Sequence, residues 1–159
     1  MESPEFQIRF METGEEAQVC KLVERVFMQD DAQDFPQQGI SEFLAYANPV
    51  RMAERVTQDL SFVLVAAVED DLVGMIEIRN YNHIALLFVS DDHQRQGMAS
   101  HLIEKAITIC REKNTALRRI TVNASPSALP IYAHWGFHPI GDQIEVDGIP
   151  FTQMALDFS

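Results

Sequence analysis

Gln94-Arg95-Gln96-Gly97-Met98-Ala99 is the stretch of this sequence whose residue types and spacing best suit binding chemistry. An apolar run ends just ahead of it, and a helical pattern starts at Gly97. The first N–H groups of a helix lack intrahelical partners and carry the positive end of its dipole. Phosphate groups suit that place. Small residues at 97 and 99 let a ligand reach the backbone, where larger side chains would hold it off. Arg95 adds a full positive charge beside the loop. The corner therefore reads as a seat for a phosphate-bearing ligand. It is neither a P-loop, which needs G-x-x-x-x-G-K-[ST], nor a dinucleotide fingerprint, which needs G-x-G-x-x-G. On its own it is equally well read as a helix start that uses small residues for packing.

Other reactive side chains show less pattern. His93, His101, His134 and His138 have no metal-ligand spacing. His134 and His138 are four apart, but Gly136 lies between them and ends the helix, so they share no face. No metal is expected. Cys20 and Cys110 fall on apolar stripes of expected helices and read as small core residues, not as a disulfide or a catalytic thiol.

These residues need elements to position them. Residues 6–12 alternate loosely and read as a first strand. Thr13 and Glu16 have capping-box spacing, and Val19, Leu22, Val23, Val26 and Phe27 mark one face of the helix that follows. A polar loop covers 29–39, and two short helices, over about 40–47 and 50–60, part at Asn48-Pro49. Residues 61–68 and 72–79 read as a hairpin, and 83–89 (HIALLFV) as a third strand, apolar on both faces as a central strand should be. The helix after Gly97 turns Ala99, Leu102, Ile103, Ala106, Ile107 and Cys110 inward. A strand over 118–123 follows, then a short helix through 131–135 stopped by Gly136. Strands at 137–140 and 149–156, separated by an Asp147-Gly148 turn, complete the chain. Strand runs mixed with strand–helix–strand units imply an α+β or α/β layered fold with a mixed sheet.

At 159 residues and 47% hydrophobic content, the sequence fits one domain over 1–159 with a proper core. Net charge is −12, from 24 acidic against 12 basic residues. Phosphate backbones need a basic face, so nucleic acid is not an expected partner. The acidity would attract a cationic substrate, and it serves solubility equally well. The longest apolar runs, such as FVLVAAV at 62–68, are strand-sized, so no membrane partner is expected. The polar start Met1-Glu2-Ser3-Pro4 does not read as a signal peptide. A cytoplasmic location is the expectation.

The stretch 94–99 also resembles the Q/R-x-x-G-x-G/A motif of the GNAT superfamily, the acyl-CoA-dependent N-acetyltransferases. HIALLFV before it extends the resemblance, as does NASPSALPIYAHWGF at 123–137. The latter is similar to the family's fifth-strand and fourth-helix region, with its Tyr-x-x-x-Gly-Phe ending. The order of elements is similar from about residue 6 to the end, and the tail DGIPFTQMAL resembles a bacterial subgroup of small members. The resemblance implies a GNAT fold, with a mixed sheet of about seven strands flanked by about four helices. It also implies acetyl-CoA as co-substrate. Homodimers are common in the family.

Carried over residue by residue, the resemblance implies that backbone N–H groups of Arg95, Gln96, Gly97, Met98, Ala99 and Ser100 cradle the coenzyme A pyrophosphate. It implies that the pantetheine arm pairs with the backbone of Leu87, Phe88 and Val89, where the central strand splays from its neighbour. Asn123 resembles the residue that holds pantetheine through its side chain, and is also simply a turn-forming asparagine. Tyr132 resembles the family tyrosine that lies near the thioester sulfur and can protonate the departing thiolate, and is also simply a half-buried tyrosine capping the core. A phenol of pKa about 10 is a competent acid for that job.

The acceptor must lose a proton before it attacks. An amine of pKa about 10.4 is neutral in about one molecule in 2,500 at pH 7, a cost of roughly 4–5 kcal/mol. Some relatives carry a glutamate base at the place His83 occupies, and a histidine of pKa about 6.5 suits the role. Glu77 on the preceding strand is the second candidate, acting through water or merely facing solvent. By family analogy residues 37–61, including Phe43, Tyr46, Arg51 and Arg55, line the acceptor pocket.

The expected function is acetyl transfer from acetyl-CoA to a primary amine, a small molecule or a peptide, in a ternary complex. The acidic loop with Asp30, Asp31 and Asp34 fits a cationic acceptor and is equally a solvated loop. The alternative is a non-catalytic acyl-CoA-binding sensor or interaction module.

Overall fold

The computed structural model describes residues 6–94 and 97–158. The chain runs β1 (Gln7–Phe10), α1 (Glu16–Asp30), α2 (Gln37–Tyr46), α3 (Pro49–Thr57), β2 (Ser61–Val68), β3 (Asp71–Arg79), β4 (His83–Val89) and α4 (Met98–Lys113). It ends with β5 (Arg119–Ala124), α5 (Leu129–His134), β6 (His138–Pro139), β7 (Ile144–Val146) and β8 (Ile149–Asp157). The strands form one mixed sheet in the order β1-β2-β3-β4-β5-β8-β6, with β7 also paired to β8. Every pairing is antiparallel except β4 with β5. This is the expected α+β layering, with one strand and one helix more among the described residues than the family resemblance implied.

Strand β2 shows how two cores form. Its side chains alternate between the faces of the sheet. Phe62, Leu64 and Ala66 join one cluster with Leu102, Ala106 and Cys110 of α4. Val63 and Val65 join the other with Val19, Val23 and Val26 of α1 and Met52 of α3. Cys20 and Cys110 are both buried and free, one in each cluster, so the sheet separates them. No helix among the described residues is long and apolar enough to cross a membrane.

Two local expectations shift. Helix α1 starts at Glu16 with Glu15 as its N-cap, so Thr13 is not the cap. Glu15 is held instead by two hydrogen bonds from Arg9, at 2.9 and 2.8 Å, and Glu16 accepts from the Gly14 N–H at 2.9 Å. Strand β7 is new. Asp147 and Gly148, at φ 52° and 80°, form the two-residue turn that joins it to β8 with Val146 opposite Ile149. The break at Asn48-Pro49 stands where expected. The Asn48 side chain accepts from the N–H groups of Val50 and Arg51, and Pro49 occupies the first helical position.

Candidate active site

The central feature is a parting of two strands. β4 and β5 pair only through His83 with Thr121 and Ile84 with Val122. Beyond Ile84 they separate, while β4 stays paired to β3 from Leu86 to Val89. Ala85 is the extra residue of a bulge, because Ile78 faces Ile84 and Glu77 faces Leu86. The β5-facing backbone of 86–89 is thus an open strand edge in the interior, of the kind that pairs with an extended ligand.

That edge opens on a cleft of about 1100 Å³. Leu87, Phe88, Val89, Gly97, Ala99, Ser100, Asn123, Tyr132 and His83 all line it. Met98 does not, since its side chain is buried in the core beside Leu102. Arg95 and Gln96 lie outside the described residues.

Gly97 caps α4 at φ 79°, a left-handed conformation that favours glycine. Among the described residues, a Cβ there would meet only the His101 ring, at 3.6 Å. The backbone conformation, not crowding within the protein, is therefore what calls for glycine. The Gly97 carbonyl accepts hydrogen bonds from the His101 N–H at 3.0 Å and from its Nδ1 at 2.7 Å. Gln94 donates to the Val89 carbonyl at 2.9 Å and so closes the end of β4.

Tyr132 reaches the cleft from α5 and is nearly buried, with Trp135 and Phe137 edge-on to its ring at 5.6 and 5.3 Å. Its hydroxyl makes no hydrogen bond among the described residues. Burial pushes the phenol well above its ordinary pKa, and the Asp31 charge adds to the rise. Tyr132 is therefore protonated at every physiological pH, and is a weaker acid than a free phenol.

His83 opens β4, with Nδ1 2.7 Å from Thr121 Oγ1. Burial, helped by the Arg79 charge, lowers its pKa to about 4. It enters the cleft as a neutral imidazole. Glu77 faces neither solvent nor cleft: it is fully buried and absent from the cleft lining. Arg55 binds it through Nε and one terminal nitrogen, at 2.8 and 2.9 Å, and the Tyr46 hydroxyl donates to it at 3.2 Å. Arg55, expected in the acceptor pocket, lies instead over the Tyr46 ring at 3.7 Å. Glu42, Phe43, Tyr46 and Arg51 do line the cleft on that side.

Helix α2 is fixed there by aromatic and backbone contacts. Phe43 stacks on Phe27 at 3.9 Å and meets Phe88 edge-on at 5.8 Å. A Cβ on Gly39 would fall 1.9 Å from the Gly148 carbonyl oxygen, so α2 and the β7–β8 hairpin touch backbone to backbone. One group escaped the sequence reading. Asp31 Oδ1 accepts from Ser125 Oγ at 3.0 Å and from Ser127 Oγ, and all three residues line the cleft. Their separations of 94 and 96 residues leave no local signal for this cluster. Among the described residues, no group of three or more His, Cys, Asp or Glu side chains is placed to hold a metal ion.

Residues 31–158 match the family model of the acetyltransferase (GNAT) domain. The chain belongs to the GNAT family. It is 30% identical over 153 residues to the uncharacterized N-acetyltransferase YafP of Escherichia coli K12, across 96% of this chain and 95% of that protein. A GCN5-related N-acetyltransferase of Rhodopseudomonas palustris shares the fold with a TM-score of 0.80 at 20% identity, over 99% of this chain and 98% of that one. The PaiA N-acetyltransferase of Thermoplasma acidophilum, solved in complex with coenzyme A, gives a TM-score of 0.78 at 14% identity, over 97% and 99%. In this GNAT chain the family match begins at Asp31, yet Val26, Phe27 and Asp30 just before it also line the cleft.

Proposed function

We propose that this protein moves an acetyl group from acetyl-CoA to a primary amine by direct attack in a ternary complex. The observation that carries the reading is the parting of β4 from β5, which aims an open strand edge at a cleft ending in the Gly97 corner. Coenzyme A fits that shape, since its pantetheine arm carries amides that can pair with a strand edge. Its pyrophosphate suits the N-terminal N–H groups of α4. The coenzyme A held by the Thermoplasma acidophilum relative, on a similar fold, supports the same ligand here.

In this reading the backbone of Leu87 to Val89 pairs with the arm, Asn123 holds it from β5, and residues 95–100 receive the pyrophosphate. The amine nitrogen forms a bond to the acyl carbon, and the carbon–sulfur bond breaks with its electron pair on sulfur. Tyr132 supports the leaving sulfur, first by a hydrogen bond and then by its proton, as general acid. Phe43, Tyr46 and Arg51 surround the acceptor. The neutral His83 imidazole accepts a hydrogen bond from it, and a pKa of about 4 makes it a weak base. Glu77 serves to hold Arg55 and Tyr46 and not as a base.

The test is release of free thiol from acetyl-CoA across polyamines, amino acids, aminoglycosides and lysine or N-terminal peptides, with a blank lacking amine. Turnover with one amine class supports the reading. Tight acetyl-CoA binding with no turnover on any of them contradicts it and favours a sensor.

A further inference from the structure

We infer that Asp31 takes the proton released by the attacking amine and returns it to Tyr132, so that one carboxylate links the two ends of the reaction. The inference rests on the acetyltransferase reading above. Asp31 sits where α1 ends and lines the cleft together with Tyr132. Both serine hydroxyls bind the same oxygen, Oδ1. Oδ2 makes no hydrogen bond among the described residues. Ser125 and Ser127 belong to the loop between β5 and α5, the helix that carries Tyr132. One carboxylate oxygen thus fastens the tyrosine's loop to α1, and the other takes no part in that contact. The other two acid–base candidates are weaker. The Glu77 carboxylate is taken up by Arg55 and Tyr46, and His83 is a poor base.

The charges around Asp31 favour this role. Burial pushes its carboxyl above the ordinary range, against the pull of the two serine hydrogen bonds. Asp30 at the end of α1 and Asp34 in the following turn push the same way. A carboxylate so placed is a stronger base than a free one. Tyr132 of α5, His93 and His134 are further titratable groups lining the same cleft. The Asp31 charge also raises the Tyr132 phenol. When Asp31 takes up a proton that charge disappears, and Tyr132 becomes a better acid just as the thiolate forms.

The protons balance. The amine enters neutral, and its nitrogen becomes positively charged as the carbon–nitrogen bond forms. That nitrogen gives one proton to Asp31 Oδ2. The carbon–sulfur bond breaks, and Tyr132 gives its proton to sulfur. The proton on Asp31 then returns through cleft water to the Tyr132 phenolate, since the two groups share no direct hydrogen bond, and both are restored.

Asp31→Asn tests this in the full chain, because asparagine keeps an Oδ1 acceptor for both serines and removes the charge. The measurements are acetyl-CoA affinity by calorimetry, and kcat/KM from about pH 4, near the ordinary carboxylate range, to about pH 9 for the amine the wild type turns over best. Expected are an acetyl-CoA affinity within about twofold of wild type and a fall in kcat/KM on the order of 100-fold. In wild type, log kcat/KM should fall with a two-proton slope below the Asp31 pKa, since both amine and carboxylate must then lose a proton. The variant should keep a one-proton slope throughout. The double variant Ser125→Ala/Ser127→Ala removes the anchor and keeps the charge, so it should retain the two-proton limb and lose less activity. An unchanged rate in Asp31→Asn, a two-proton limb surviving in it, or equal losses in both variants would overturn the inference. A wild type that binds acetyl-CoA and turns over no amine would instead bring down the acetyltransferase reading, and this inference with it.

Discussion

Arg55 grips the carboxylate of Glu77 with two hydrogen bonds, at 2.8 and 2.9 Å, where Glu77 has no solvent exposure at all. Removing one partner of a buried pair leaves an uncompensated charge and costs about 3–5 kcal/mol. Arg55→Ala should therefore lower Tm by about 10 °C, given roughly 2–4 °C per kcal/mol for a chain of this size. Activity in Glu77→Gln should fall only in step with the folded fraction. A Glu77→Gln protein with wild-type Tm and no turnover would show instead that Glu77 acts in the chemistry.

His83 makes stability depend on pH. Its folded pKa of about 4 lies below the unfolded value of about 6.5. Between those values the unfolded chain binds a proton that the folded chain does not, so stability rises with pH across the window. The contribution is complete above about pH 6.5 and is lost as pH falls toward 4, amounting to at most about 3 kcal/mol. Urea titrations at several pH values should show this slope in wild type and a flatter one in His83→Gln.

Tyr132→Phe should lower kcat on the order of 100-fold, the usual scale for a positioned acid. Its stability should change by less than about 1 kcal/mol, because the hydroxyl makes no hydrogen bond among the described residues. Steady-state kinetics with a thermal melt on the same preparation separates the two effects.

At Gly97 backbone and ligand make separate demands. Gly97→Val places a branched side chain at φ 79° and should cost about 1–2 kcal/mol as well as acetyl-CoA affinity. Asparagine tolerates the left-handed region better, so Gly97→Asn should recover most of the stability and little of the affinity. Calorimetric titration and denaturation of both variants checks this. Equal acetyl-CoA affinity in the valine variant would contradict a close approach of ligand to this backbone.

The sheet was legible where burial writes a plain pattern. Ser61–Val68 and His83–Val89 are nearly unbroken apolar runs, and both are strands with those bounds. Strand β7 was not legible, because all three of its residues are exposed and it is held by pairing with β8. The parting of β4 from β5 is a matter of backbone register: side-chain types carry no record of it, and only the family resemblance led to the expectation that the structure bears out. Glu77 did leave a signal, a lone acid in the apolar run Met75 to Ile78. A buried charge demands a partner, and that partner, Arg55, lies 22 residues away on another element. Asp31 was visible only as one acid among several, since its serine donors are brought to it by the fold.

The most direct test follows isotope-labelled acetyl from acetyl-CoA by mass spectrometry, over a single turnover, with the amine that releases most thiol. Label should appear on the amine in step with thiol release, with none on the protein, since transfer is direct. Label first on the protein, at Cys20, Cys110 or any other residue, would contradict the ternary-complex mechanism. Acetyl-CoA that binds and stays intact with every amine would contradict the assignment as an acetyltransferase.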